Sequence, residues 1–185
     1  MSSVVAIGQP ERKDRGFNSL IGKKVIFSLV FCKSARFSHL QYPSDRENGD
    51  VFEGGCLCGA VRYFCDGEPV MAGHCHCVDC RRSSGTGHAS HMAVPAPSVR
   101  ITGEVARYVS PADGGALVTR AFCPVCGSPV FSTNAGQEGL IFLRASSLDD
   151  PEVFKPQMVV YASRAASWDH MDAALPSFAV MPPMG

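Results

Sequence analysis

The sequence predicts a mainly β domain in residues 50–185, built from short antiparallel strands with few short helices. From Val51 onward, short apolar runs rich in β-branched and aromatic residues are separated by Gly, Pro and Asp. Helix signals are few. Seven of the nine cysteines fall in C-x-C and C-x-x-C clusters, which suits metal-binding turns better than a disulfide framework.

Turn-forming residues such as Pro95, Gly103 and Gly115 separate the predicted strands. The predicted strands are Ala60–Phe64, Gly87–Val94, Ser98–Ile101, Ala106–Val109, Leu117–Phe122, Val130–Ser132 and Leu140–Leu143. Two helical segments are predicted, Val78–Ser84 after a cysteine cluster and Ser167–Ala174 behind a serine cap.

Residues 1–49 are predicted to form a poorly ordered extension, since they contain no chemical motif and no periodic element. This segment carries eight Lys/Arg against four Asp/Glu, although the whole chain of 185 residues has a net charge of zero. Neutral charge gives no case for nucleic-acid binding, and no apolar run is long enough for a membrane span. The chain lacks a convincing signal peptide, and thiolate ligands must stay reduced, so we expect a cytoplasmic protein.

Three cysteine clusters follow one another along the β domain. They are Cys56-Leu57-Cys58-Gly59, Cys75-His76-Cys77-Val78-Asp79-Cys80 and Cys123-Pro124-Val125-Cys126-Gly127. The third cluster is the most specific, because C-x-x-C-G closes a tight turn that presents two thiolates to one tetrahedral ion. Zinc needs four ligands in a structural site, so this pair requires a second pair from elsewhere.

Seven clustered thiolates divide naturally into four and three. Four saturate a structural zinc, whereas three leave a position open, as a reactive zinc requires. The second cluster is the natural set of three, because its sulfurs lie within six residues, but spacing alone does not fix which pairs join. Two alternatives stay open: one zinc with spectator thiols, or a redox disulfide among Cys75, Cys77 and Cys80.

These motifs resemble those of the glutathione-dependent formaldehyde-activating enzyme family of carbon–sulfur lyases, which also includes a chromosome-associated protein. The resemblance runs from about Glu53 to Pro182. It rests on the segments Gly54–Tyr63, Cys75–Arg82 with Gly85, Arg120–Ser128, Asp150-Pro151 and Leu175–Phe178. The chain departs from the family pattern at Gln157-Met158, where a histidine often follows the proline, and residues 1–49 have no counterpart.

The resemblance implies a zinc-bound β-tent fold and two Zn2+ ions per chain. It implies a structural zinc on Cys56, Cys58, Cys123 and Cys126, and a catalytic zinc on Cys75, Cys77 and Cys80. The implied reaction joins glutathione, or a similar thiol, to formaldehyde or another small electrophile, and the reverse reaction cleaves the carbon–sulfur bond.

Arginine and histidine residues next to the cysteine clusters have predicted roles. Arg81 and Arg82 directly follow the last ligand of the second cluster and are candidates to bind the carboxylates of a glutathione-sized substrate. Arg120 is expected to brace the third cluster, and His76 to support the metal ligands from behind.

Histidines and acidic residues near the clusters are further candidates. His88 and His91 are three apart on a predicted strand and should point to opposite faces. Asp79 and Asp169 are possible acid–base groups, and Cys65 is expected to be a small buried apolar residue.

The competing interpretation is a zinc-stabilised binding module without catalysis, since a fold alone does not fix a function. Such a module has no use for a separate set of three thiolates. The sequence does not predict an oligomeric state.

Overall fold

A computed structural model describes residues 51–182, and the predicted extension over residues 1–49 lies outside these residues. Within residues 51–182 the chain forms ten strands and one α-helix, so the prediction of a mainly β fold is confirmed. The strands are β1 (Phe52–Gly55), β2 (Arg62–Cys65), β3 (Met71–Cys75), β4 (Ala89–Pro95), β5 (Val99–Thr102), β6 (Ala106–Pro111), β7 (Leu117–Phe122), β8 (Pro129–Asn134), β9 (Leu140–Arg144) and β10 (Met158–Val160).

Helical structure in this part of the chain is short. The helix α1 spans Val78–Ser84, as predicted, and ends at Gly85, whose φ of 77° is the left-handed conformation that glycine adopts without strain. Single 3-10 turns occur at Ala96–Ser98, Ala145–Ser147, Pro151–Val153 and Ala162–Arg164.

The strands of residues 51–182 form two sheets. The smaller has the order β1-β2-β5, and the larger has the order β10-β3-β4-β9-β8-β7-β6. All pairs are antiparallel except β10 with β3, which are parallel. The parallel pair departs from the expected all-antiparallel arrangement. The connection from β9 to β10 is long enough for the chain to return beside β3 in the parallel direction.

The two faces of the larger sheet have different roles, because successive side chains on a strand point to opposite sides. Ala72, Met92 and Leu143 lie on one face and join Phe52 and Tyr63 of the smaller sheet in the buried core. The other face carries Cys75, whose neighbours along and across the strands line an open cleft. One face of the larger sheet therefore packs against the buried core, and the opposite face forms the candidate site.

The second predicted helix, Ser167–Ala174, is wrong: this segment consists of turns and irregular backbone. Its Asp169 side chain lies over Gly87, where an added Cβ would meet Asp169 Oδ2 at 2.1 Å, and it pairs with His88 at 2.9 Å. Asp169 therefore contacts the body of the domain from an irregular segment and not from a helix.

Candidate metal centres and the adjoining cleft

Two turns bring four cysteines of the first and third clusters together. Cys56 follows β1, and its turn ends at Gly59, where φ is 76°. Cys123 follows β7, and its turn, which joins β7 to β8, ends at Gly127, where φ is 75°. The amide of each glycine donates to the carbonyl of the first cysteine of its own turn, at 3.1 Å for Gly59 and 2.9 Å for Gly127.

The sulfurs of Cys56, Cys58, Cys123 and Cys126 all lie within 4.8 Å of one another. The Sγ–Sγ distance is 3.5 Å for Cys56 and Cys58 and 3.7 Å for Cys58 and Cys123. A tetrahedral zinc with bonds of about 2.3 Å to sulfur requires sulfurs about 3.8 Å apart. The four side chains therefore fit one tetrahedral ion.

Backbone amides and one serine support this centre. The amide of Val61 donates to Cys56 Sγ at 3.2 Å, and the amide of Val125 donates to Cys123 Sγ at 3.4 Å. Ser128 Oγ accepts from the Leu57 amide at 3.2 Å and lies 3.3 Å from Cys126 Sγ, so it links the two turns. The hydrogen bond with Ser128 lowers the pKa of Cys126 to about 5, which favours the thiolate that a metal requires.

The second cluster forms a separate set of three sulfurs. Cys75 ends β3, Cys77 caps α1 and Cys80 lies in its first turn, and the three sulfurs are within 4.8 Å of one another. The amide of Cys80 donates to Cys77 Sγ at 3.3 Å. The His76 amide donates to the Val160 carbonyl at 3.1 Å, which fixes the turn between the first two ligands against β10.

Crowding makes the charges of these three sulfurs interdependent. Hydrogen bonds from Cys75 and Cys80 lower the pKa of Cys77 to about 2, and the corresponding bonds from Cys77 and Cys80 raise the pKa of Cys75. One thiolate is thus held by two thiols, and further deprotonation would place like charges side by side. A divalent cation removes that conflict, so the donor set fits zinc chemically as well as geometrically.

A cleft of about 350 Å³ opens directly onto the sulfurs of Cys75, Cys77 and Cys80. Within the described residues, these three sulfurs and no others of the clustered cysteines line it. The four-cysteine centre has a full tetrahedral set, whereas the three-cysteine centre has fewer donors and adjoins a cavity.

Positive side chains reach this cleft from β7 and β9. Arg144 is only 3% exposed, and its guanidinium donates to Ser83 Oγ at 3.0 Å and lies 3.4 Å from His91 Nε2. The same His91 nitrogen lies 3.4 Å from Cys80 Sγ. Burial, together with the charge of Arg144, lowers the pKa of His91 to about 3, so this ring is neutral at pH 7.

Arg120 does not brace the third cluster as the sequence suggested. Its guanidinium donates to Asp79 Oδ2 at 3.1 Å and to Ser110 Oγ at 2.8 Å, and it lines the cleft. Because Asp79 is on α1, this ion pair connects β7 to the helix that carries Cys77 and Cys80.

Arg81 and Arg82, the predicted substrate-binding residues, are on α1 but do not line the cleft. Of the two histidines expected on opposite faces of a strand, His91 lies beside Cys80. His88 precedes β4 and contacts Asp169. His76 is 1% exposed, and its Nδ1 is 3.4 Å from Asp169 Oδ2, behind the ligand turn. Cys65 is fully buried, as expected.

The fold and the two cysteine clusters together define a mainly β class of protein with two sets of sulfurs that could hold metal ions, one of four and one of three. Residues 51–164, more than half of the chain, match the family model described as glutathione-dependent formaldehyde-activating enzyme. The chain therefore belongs to this family, and the resemblance of its cysteine motifs is confirmed.

Two individual proteins are similar to parts of the chain. An uncharacterized lyase of Schizosaccharomyces pombe is 27% identical over 94 residues, which cover 51% of this chain and 66% of the relative, just under two thirds. A crystal structure of a Rhodobacter sphaeroides protein has 20% identity and a TM-score of 0.43, covering 54% of this chain and 92% of that one. No helix in the described residues has the length and apolar character to cross a membrane.

Proposed function

We propose that this protein is a zinc-dependent carbon–sulfur lyase that forms or cleaves adducts between glutathione, or a similar thiol, and formaldehyde or another small electrophile. The supporting observation is the unequal division of seven sulfurs into a closed set of four and a set of three that borders a cleft. Family membership and the lyase relative support the same general class of reaction.

Cys75, Cys77 and Cys80 would hold the catalytic ion, and Cys56, Cys58, Cys123 and Cys126 the structural one. Zinc bound by three thiolates favours a fourth soft donor and lowers the pKa of a thiol that takes that position. In the forward reaction the thiol sulfur adds to the carbonyl carbon, one carbon–sulfur bond forms, and the proton lost by the thiol ends on the former carbonyl oxygen.

The cleft residues would bind and orient the reactants. We propose that Arg120 pairs with a carboxylate of the thiol substrate, because it lines the cleft and its guanidinium is fixed by Asp79 and Ser110. Arg144 is buried, and its guanidinium and Cys80 Sγ each lie 3.4 Å from His91 Nε2, so Arg144 would balance the negative charge of a zinc bound by three thiolates. A carboxylate-binding role for Arg81 and Arg82 stays a prediction, but neither residue lines the cleft, which favours Arg120.

We also propose that residues 50–185 form the domain that carries the activity. A cytoplasmic location is part of the same proposal, on the ground that seven thiolate ligands require a reducing compartment.

The test is the substitution Cys77→Ser. We expect the variant to keep one zinc per chain and to lose the second. Its rate of thiol–aldehyde turnover should fall by at least about 10²-fold, because the reacting thiol loses its binding position. Metal content and turnover of glutathione with formaldehyde give the two readouts.

Cys65→Ser is the matched control. This cysteine is outside both clusters, and Ser98 Oγ and Gly67 O lie within 3.6 Å of its sulfur and could accept a hydroxyl. The control should retain two zinc ions and full turnover. Full activity in Cys77→Ser would overturn the assignment of the reaction to this three-cysteine centre. A single zinc per chain in a wild-type protein that binds no thiol would instead favour a non-catalytic binding module.

A further inference from the structure

We propose that the cleft selects an electrophile that carries an extended apolar chain, an aliphatic aldehyde of several carbons in preference to formaldehyde. The proposal rests on the function proposed above and concerns the part of the cleft that thiolate chemistry does not use. In the reaction, the thiol sulfur bonds to the aldehyde carbon and the thiol proton passes to the aldehyde oxygen, so no further reactant is needed.

The apolar part of the cleft is continuous with the sulfurs. On β3, Cys75, Gly73 and Met71 share one face, and Met71 is about 13 Å along the strand from Cys75. Met71 pairs with Ala93, and Ala93 pairs with Phe142, so these three residues form a row across β3, β4 and β9. All three line the cleft.

Met158 completes this strip from the other side. It pairs with Gly73, where an added Cβ would meet the Met158 carbonyl oxygen at 2.7 Å. The absence of a side chain at Gly73 therefore lets β10 pack closely against β3. We call Met71, Ala93, Phe142 and Met158 the apolar strip.

Charge is segregated away from the apolar strip. Among the described residues, the cleft lining from β3, β4 and β10 includes no Asp, Glu, Lys or Arg. Arg120, Arg144 and Asp79 meet near α1. Asp113, the remaining charged residue of the lining, forms an ion pair with Arg164. Glutathione has carboxylate and ammonium groups that suit the charged side. The apolar strip is left for a substituent on the electrophile.

The size of the cleft agrees with this division. Its volume of about 350 Å³ lies within the range of small-molecule sites, about 300–1,000 Å³, and is shared between the thiol substrate on the charged side and the electrophile on the apolar strip. Met71, Phe142 and Met158 are each only partly buried, so apolar surface remains that an alkyl chain would remove from water. Formaldehyde would leave that surface hydrated.

Two measurements separate this proposal from the proposed function. The first is kcat/KM with glutathione for formaldehyde, propanal and hexanal, referred to the unhydrated aldehyde. We expect a rise of about fourfold for each buried methylene. The second is calorimetric binding of S-methylglutathione and S-hexylglutathione, inert mimics of the adducts, for which we expect the hexyl compound to bind about 10²-fold tighter or more.

The variants Met71→Gln and Met158→Gln preserve side-chain length but place an amide in the apolar strip. Each should reduce the hexyl-to-methyl affinity ratio by about tenfold or more. Leu117→Gln is the control, because Leu117 is 54% exposed and does not line the cleft, and it should leave the ratio and the activity unchanged. Two zinc ions per chain in each variant would show that the fold is retained.

The outcomes point to different failures. Equal affinity for the methyl and hexyl compounds, or turnover that falls as the chain lengthens, would overturn the apolar-chain proposal and leave the lyase function intact. Chain-length-dependent binding without turnover of any aldehyde would overturn the lyase function.

Discussion

At Arg144 a guanidinium is buried with a serine, an imidazole and thiols as its neighbours, and no carboxylate of the described residues forms an ion pair with it. An isolated buried charge is unfavourable, and burial lowers the pKa of Arg144, whereas the sulfurs of Cys80, Cys75 and Cys77 raise it. Three thiolates with one divalent ion have a net charge of −1. A filled metal centre would therefore compensate Arg144, and Arg144 would stabilise the filled centre.

The substitution Arg144→Met tests this charge balance. Loss of the positive charge should raise the pKa of the neighbouring thiols and weaken zinc binding at Cys75, Cys77 and Cys80 by about 10–100-fold. Chelator competition measures the affinity. The four-cysteine centre should be unaffected, and Arg107→Met, at an exposed arginine of β6, should change neither centre. Unchanged affinity at both centres in Arg144→Met would rule out an electrostatic role for Arg144.

Site residues whose positions depend on local spacing could be predicted from the sequence. Site residues that reach the centre only through strand pairing could not. The seven clustered cysteines could be identified as candidate ligands because spacings such as C-x-x-C place two sulfurs together within one turn. His91 and Arg144 reach Cys80 only because β4 pairs with both β3 and β9, with His91 opposite Gly73 and Arg144. No short motif marks either residue, although a charged residue at the end of an apolar strand was a signal that could have drawn attention to Arg144.

At the scale of secondary structure, the strands that were predicted are those with several β-branched or aromatic residues between turn formers. The strands that were missed are short or poor in such residues: β1 reads FEGG, β3 reads MAGHC and β10 reads MVV. Their stability comes from pairing partners distant in sequence, which a local pattern cannot represent. The helix α1 was predicted with its observed bounds from its position directly after a cysteine cluster, and the structure shows that Cys77 caps it and Gly85 ends it.

Gly54 in β1 shows how a missed strand is held. It pairs with Tyr63, and an added Cβ would lie 2.2 Å from Tyr63 Oη and 2.3 Å from the Ser147 carbonyl oxygen. Gly54→Ala should therefore destabilise the fold by about 1–3 kcal/mol, because a side chain would push apart β1, Tyr63 and the Ala145–Ser147 turn. Denaturant unfolding measures the change.

The control for this substitution is Gly114→Ala. A Cβ at Gly114 would meet no atom within 4 Å, so its free energy of unfolding should stay within about 0.5 kcal/mol of the wild-type value. Equal stabilities for the two variants would mean that β1 does not pack as closely as its neighbours indicate.

At the scale of residues 51–182 as a whole, the four-cysteine centre joins the two sheets. Cys56 and Cys58 follow β1 of the smaller sheet, while Cys123 and Cys126 connect β7 and β8 of the larger one. Since a preformed site rarely exists in an unfolded chain, the free energy of metal binding there would contribute to folding. The three-cysteine centre has a different position, because its ligands are confined to β3, α1 and the turn between them, so its ion would connect no distant elements.

We therefore expect the two ions to differ in their effect on stability. Increasing chelator should remove one zinc equivalent while the circular dichroism spectrum is retained, and removal of the second should unfold the domain cooperatively. Cys123→Ser should lower Tm by more than about 15 °C, whereas Cys77→Ser should shift it by only a few degrees, because the first change disconnects the two sheets and the second leaves that link intact. Unfolding on release of the first equivalent, or a wild-type Tm in Cys123→Ser, would show that the sheets are held by their apolar core without the four-cysteine centre.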